Sequence, residues 1–153
     1  ITDLYADRIG HSYYLFDKDK IVHPDISDKE DYIKDLASYM ADKRTVIEVC
    51  LTSNLQTNPE IKSIKDHSFG LMFENRFATT ICTDNRLVSN TTVSREYGLL
   101  LDNFDVPVKR LKDIVAYGFK KSFHFGSYVQ KREYAKKAMN YFDKIARKHK
   151  IQL

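Results

Sequence analysis

Three short strand-like runs, spaced by longer amphipathic segments, decide what this chain can become. The first centres on Ile9 within residues 7–15 (DRIGHSYYL), the second is residues 45–50 (TVIEVC) and the third is residues 77–82 (FATTIC). Brief, β-branched and bounded by polar clusters, they read as buried strands. Residues 17–29 are polar, hold Pro24 and read as a loop. Ser27-Asp28-Lys29-Glu30 then has capping-box spacing, which opens a helix with Ile33, Leu36, Ala37 and Met40 on one face. Beyond Thr91 the chain reads as helical. Val93, Tyr97, Leu100 and Leu101 mark one helix, and Leu111, Ile114, Val115 and Phe119 a second after Pro107. Residues 128–150 mark the longest, with Tyr134, Ala138, Tyr141, Phe142 and Ile145 inward. Strands alternating with helices predict an α/β fold of βαβ units with parallel strands.

Size bounds this further. At 153 residues the chain is too short for a (β/α)8 barrel, which needs about 200. With 5 Gly, 3 Pro and no linker-like stretch, residues 1–153 read as a single α/β unit. No apolar run approaches the length of a membrane span, so no membrane partner is expected. The opening residues hold two acids and no basic segment, unlike a secretory signal. Cys50 and Cys82 make no disulfide framework and suggest a reducing, cytoplasmic setting. Ile1 opens on what reads as mid-element sequence, so an upstream portion is expected. Residues 131–150 carry eight basic side chains against Glu133 and Asp143. Without aromatic interleaving this reads as a solvated helix face rather than a nucleic-acid surface.

In parallel α/β folds, active-site residues gather where strands end. The three ends here carry His11, then Ser53 and Asn54, then Asp84 and Asn85. Each has a plainer reading. His11 could be a structural histidine, although Gly10 beside it allows close backbone approach. Ser53 and Asn54 could be turn and cap residues, and Cys50 reads as core. Asp84 at a buried strand end is costly unless a metal or ion pair uses its charge; otherwise Arg86 pairs it or it caps the next helix. His23 reads as exposed, His67 as the start of a short helix and His124 as a connector. No histidine or cysteine spacing makes a self-contained zinc motif.

Taken in order, RIGHS, EVCLTSNLQT and ICTDNR resemble the last three strand ends of the adenosine deaminase family. TVIEVCLTSNLQTNPEI, DHSF, TDNRLVSNTTVSREY and GFKKSF extend the resemblance over most of the chain. It implies the C-terminal part, about three βα units, of a zinc-dependent TIM (β/α)8 barrel that deaminates adenosine, or a related purine, to inosine and ammonia. By the same resemblance His11 is the catalytic histidine that orients or deprotonates the attacking water. Asp84 is a zinc ligand, Asn85 faces purine N7 where many members have Asp, and Ser53 and Asn54 support the pocket. Ser12, Leu51 and Ser68 depart from the family's Gly, Pro and Pro. The paired histidines, third histidine and glutamate that complete the family's site precede RIGH and are absent from this chain.

Two outcomes are therefore expected. Completed by the missing N-terminal barrel portion, or by another copy, the chain takes part in deamination of a purine nucleoside. Alone, three parallel strands cannot close a barrel and leave edges unpaired, so the alternative is a non-catalytic fragment or a self-associating α/β domain.

Overall fold

Parallel pairing of three short strands sets the frame. In the computed structural model, which describes residues 5–153, these are β1 (Arg8–Gly10), β2 (Val46–Val49) and β3 (Ala78–Ile81). They lie in sequence order, with Ile9 opposite Ile47 and Ile47 opposite Thr79. The expected parallel α/β arrangement is present. The mid-element reading at Ile1 lies outside the described residues.

Paired residues in a parallel ladder point to the same face. Ile9, Ile47, Val49 and Ile81 share one face and join Met40, Phe69, Met72 and Leu100 in the core. That face is covered by α1 (Lys29–Lys43), which links β1 to β2, and by α3 (Phe69–Glu74), which leads into β3. On the opposite face Val46, Ala78 and Thr80 are also buried. Burial on both faces explains why these strands read as apolar runs rather than alternating ones.

α4 (Val93–Asn103), α5 (Val108–Lys120) and α6 (Tyr128–Lys148) complete the fold. α5 packs against β3 and α6 against α5. Gly118 is where α5 meets the sheet: a Cβ there would lie 2.6 Å from Thr80 Oγ1. Arg8 locks the same region. Its Nε donates to Glu48 Oε1 at 2.6 Å, and its Nη1 donates to the carbonyls of Gly118 and Lys121, both at 3.2 Å. No helix is long and apolar enough among the described residues to cross a membrane.

Several local expectations are corrected. Asp28, not Ser27, caps α1; its carboxylate accepts from Asp31 N at 2.9 Å, and a charged acceptor suits a helix N-terminus. Residues 17–29 include a 3-10 turn, Lys18–Lys20. Ser53 and Asn54 are not turn or cap residues but lie, with Thr52, inside α2 (Leu51–Thr57), which starts one residue after Cys50. In α4 the buried positions are Glu96 and Leu100, while Val93 and Leu101 are exposed. In α6 Tyr134, Tyr141 and Ile145 are exposed, and Ala135 and Ala146 are buried. Small alanines let α6 pack closely where it is buried, and the aromatics flank its contact with α5, as Tyr134 does edge-on to Phe119 at 5.2 Å.

Candidate functional site

The site is built where the three strands end. At β1 the backbone N–H of His11 still bonds Glu48 O at 2.9 Å, extending the ladder by one rung. His11 and Ser12 then take left-handed φ values of 60° and 49°, which swing the chain off the sheet. Two such residues in a row cost energy in any L-residue other than glycine. The permissive Gly10 has negative φ and open space at its Cβ position, so the strain falls on the two residues after it. At β3, Cys82 N bonds Val49 O at 2.8 Å, and Asp84 follows with φ 55°.

Between them, the first turn of α2 buries Thr52, Ser53 and Asn54. A residue distant in sequence sets that turn. Glu96, fully buried in α4, accepts from Thr52 N at 3.1 Å, from the Thr52 hydroxyl, and from Thr91 Oγ1 at 2.7 Å. The orphan N–H of a helix start thus meets a carboxylate, the favoured partner at the positive end of the dipole.

Four of the five expected site residues come together. Ser53 Oγ donates to Asp84 Oδ2 at 2.7 Å, and His11 Nε2 lies 3.9 Å from the same oxygen. His11 Nδ1 lies 3.4 Å from Asn54 Oδ1. Asn85 is exposed beside them, its Oδ1 accepting from Leu87 N and Val88 N at 3.1 and 3.2 Å. Neither plainer reading of Asp84 describes this geometry, since its carboxylate is held by Ser53. A cavity of about 490 Å³ opens beside His11 and Asn54, walled by Ile9, Tyr13, Leu36 and Met40 among others; Asp84 and Asn85 are not in its wall. Its size is within the range of small-molecule pockets.

His67 does precede the short helix α3, as expected, and is also a buried member of this network. Its Nε2 lies 3.3 Å from Asn54 Oδ1, and its Nδ1 accepts from Phe69 N at 2.9 Å. Burial, with His11 nearby, pushes its pKa down from 6.5 to about 4. The consequence for stability has a definite sign. Below pH 6.5 the unfolded chain takes up a proton that the folded chain refuses until about pH 4. The unfolded state then binds more protons, so stability falls across that window by up to about 1.4 kcal/mol per pH unit. Urea midpoints at pH 7 and pH 5 measure the slope, and His67→Gln removes this contribution. Burial likewise pushes the Cys50 thiol up to about 12, consistent with a core role.

Comparison with known proteins agrees with this architecture. The family model for adenosine deaminase matches residues 1–138. The chain is 44% identical over 99 residues to adenosine deaminase 1 of Streptomyces coelicolor, covering 65% of this chain and 24% of that protein. It is 39% identical over 118 residues to adenosine deaminase of Mycobacterium sp. strain JLS, covering 77% and 31%. The matched stretch thus spans about a quarter to a third of these relatives' length. Among solved structures, adenine deaminase from Arthrobacter aurescens superposes with a TM-score of 0.68 at 16% identity, over 92% of this chain and 37% of that one. The apo N6-methyl-AMP deaminase of Arabidopsis thaliana gives 0.61 at 23% identity, over 88% and 34%. These two likenesses establish the fold: three consecutive βα units of a TIM barrel.

Proposed function

The chain belongs to the adenosine deaminase family, and on that premise we propose that it supplies the C-terminal part of a purine deaminase site. The reaction is hydrolysis. Water adds to the carbon bearing the amino group, the C–N bond breaks, and adenosine gives inosine and ammonia. The convergence of His11, Asn54, Ser53 and Asp84 from three separate strand ends supports this reading above all.

His11 is the base, its Nε2 receiving the proton of the attacking water beside the Asp84 carboxylate. Ser53 holds Asp84 by one oxygen, leaving the other for a metal ion or a water. Asn85 commits its side-chain oxygen to two backbone N–H groups, which leaves its amide N–H groups to donate to an acceptor such as purine N7. Asn54 holds the far side of the His11 ring.

Among the described residues no three His, Cys, Asp or Glu side chains converge as a metal site would require. On this reading Asp84 would supply one zinc donor, and the other donors would come from outside the described residues. Zinc, when bound, lowers the pKa of water to about 7. Two free cysteines suit a reducing, cytoplasmic location.

The test is ammonia release from adenosine, adenine and AMP by the purified protein that carries this chain, alongside its zinc content. Adenosine turns over fastest, with about one zinc per active chain. A folded, zinc-containing sample that releases no ammonia from any of the three sinks the proposal.

A further inference from the structure

The contact between His67, Asn54 and His11 has a direction that can be deduced from one backbone group. The N–H of Phe69 can only donate, and it donates to His67 Nδ1 at 2.9 Å. That nitrogen therefore bears no proton. Neutral His67 must carry its single N–H on Nε2, which faces the Asn54 side chain at 3.3 Å. A donor there requires Asn54 to present its oxygen, so its amide cannot flip. The same oxygen, with a second lone pair, lies 3.4 Å from His11 Nδ1. An oxygen acceptor requires a proton on that nitrogen. Neutral His11 then carries its hydrogen on Nδ1, and the lone pair is on Nε2, the nitrogen that lies 3.9 Å from Asp84 Oδ2.

We propose that His67 is a positioning residue: acting through Asn54, it fixes His11 in the Nδ1–H tautomer and leaves Nε2 free to accept a proton. Imidazoles free in water favour the opposite tautomer, with hydrogen on Nε2, so the relay reverses an intrinsic preference. An imidazole's reactive nitrogen is set by the hydrogen bond that its other nitrogen makes. His67 suits the task because it is 3% exposed, is packed edge-on against Tyr13 at 5.5 Å, and stays neutral, its pKa near 4. The tautomer assignment stands on geometry; its catalytic consequence rests on the role of His11 proposed above.

Long-range proton–nitrogen correlation spectra of the imidazoles test it, using the ¹⁵N-labelled protein that carries this chain near neutral pH. His11→Gln and His67→Gln spectra assign the signals. The expected wild-type result is hydrogen on Nε2 of His67 and on Nδ1 of His11. In His67→Phe, which fills the volume but donates nothing, Asn54 is free to flip and His11 moves to the Nε2–H form. His67→Gln can still donate to Asn54 and keeps His11 as Nδ1–H. On the proposed reaction, kcat falls about 10- to 100-fold in His67→Phe with KM nearly unchanged, and His67→Gln restores most of it.

A wild-type His11 in the Nε2–H form overturns the relay, and needs no variant to fold. So does a His11 tautomer that is Nδ1–H in wild type and unchanged in a folded His67→Phe. Turnover of His11→Ala separates the two levels: undiminished turnover refutes His11 as the base while leaving the tautomer result to decide the relay.

Discussion

On the proposed reaction, Asp84→Ala, made in the protein that carries this chain, is expected to lower adenosine turnover by about 10³-fold or more and to abolish zinc binding. A 10³-fold loss corresponds to about 4 kcal/mol of transition-state stabilisation, within the range that a metal centre supplies. The fold survives, because Asp84 is exposed and its side chain makes a single hydrogen bond, from Ser53. Ser53→Ala is milder, about 10- to 100-fold, since it frees a carboxylate to move without removing it. The measurements are kcat and zinc content for each variant, with circular dichroism as the check on folding. Activity retained in Asp84→Ala refutes the role assigned to the third strand end, and equal losses in both variants refute the distinction between ligand and support.

The second large effect falls on stability. Glu96→Ala costs about 3 kcal/mol or more, since each buried donor left without an acceptor costs about 1–3 kcal/mol. Three donors lose their acceptor together: the backbone N–H and hydroxyl of Thr52, and the hydroxyl of Thr91. Against a typical total of about 5–15 kcal/mol this is a large fraction. Because Thr52 opens the turn that presents Ser53 and Asn54, activity falls with stability. Glu96→Gln retains one acceptor oxygen and costs less. Denaturant midpoints decide the matter, and an Ala variant within 1 kcal/mol of wild type shows that the carboxylate does not hold α2.

What could be seen in the chain beforehand follows from the distance over which each feature is determined. The strands were legible because β-branched runs such as VIEV and ATTI are local, and so were the polar residues at their ends. The helix that starts just after Cys50 was not, because its N-terminal partner is Glu96, 44 residues from Thr52. The role of His67 was hidden for the same reason, although it lies in the DHSF segment that already carried a resemblance; its partner is 13 residues back, on a different element. Gly10 reads as allowing close backbone approach, while the left-handed conformations beside it, at His11 and Ser12, have no local sequence signal. In α6 the aromatics suggested an inward face, but close packing where it is buried selects the alanines.

The Arg8 guanidinium sets a clock for the maturation of this sheet. Its acceptors on Gly118 and Lys121 lie 110 and 113 residues downstream. Ribosomes add about 5–20 residues per second, so roughly 5–20 s separate the synthesis of Arg8 from that of its first acceptor. During that interval β1, then β2, then β3 are made before α5, the helix that packs against β3, and the Arg8 contacts close only when residues 110 and 113 positions away have followed. Contacts of such long range slow folding more than they add to final stability. The nascent chain is thus most exposed to aggregation after its strands are made and before α5 arrives.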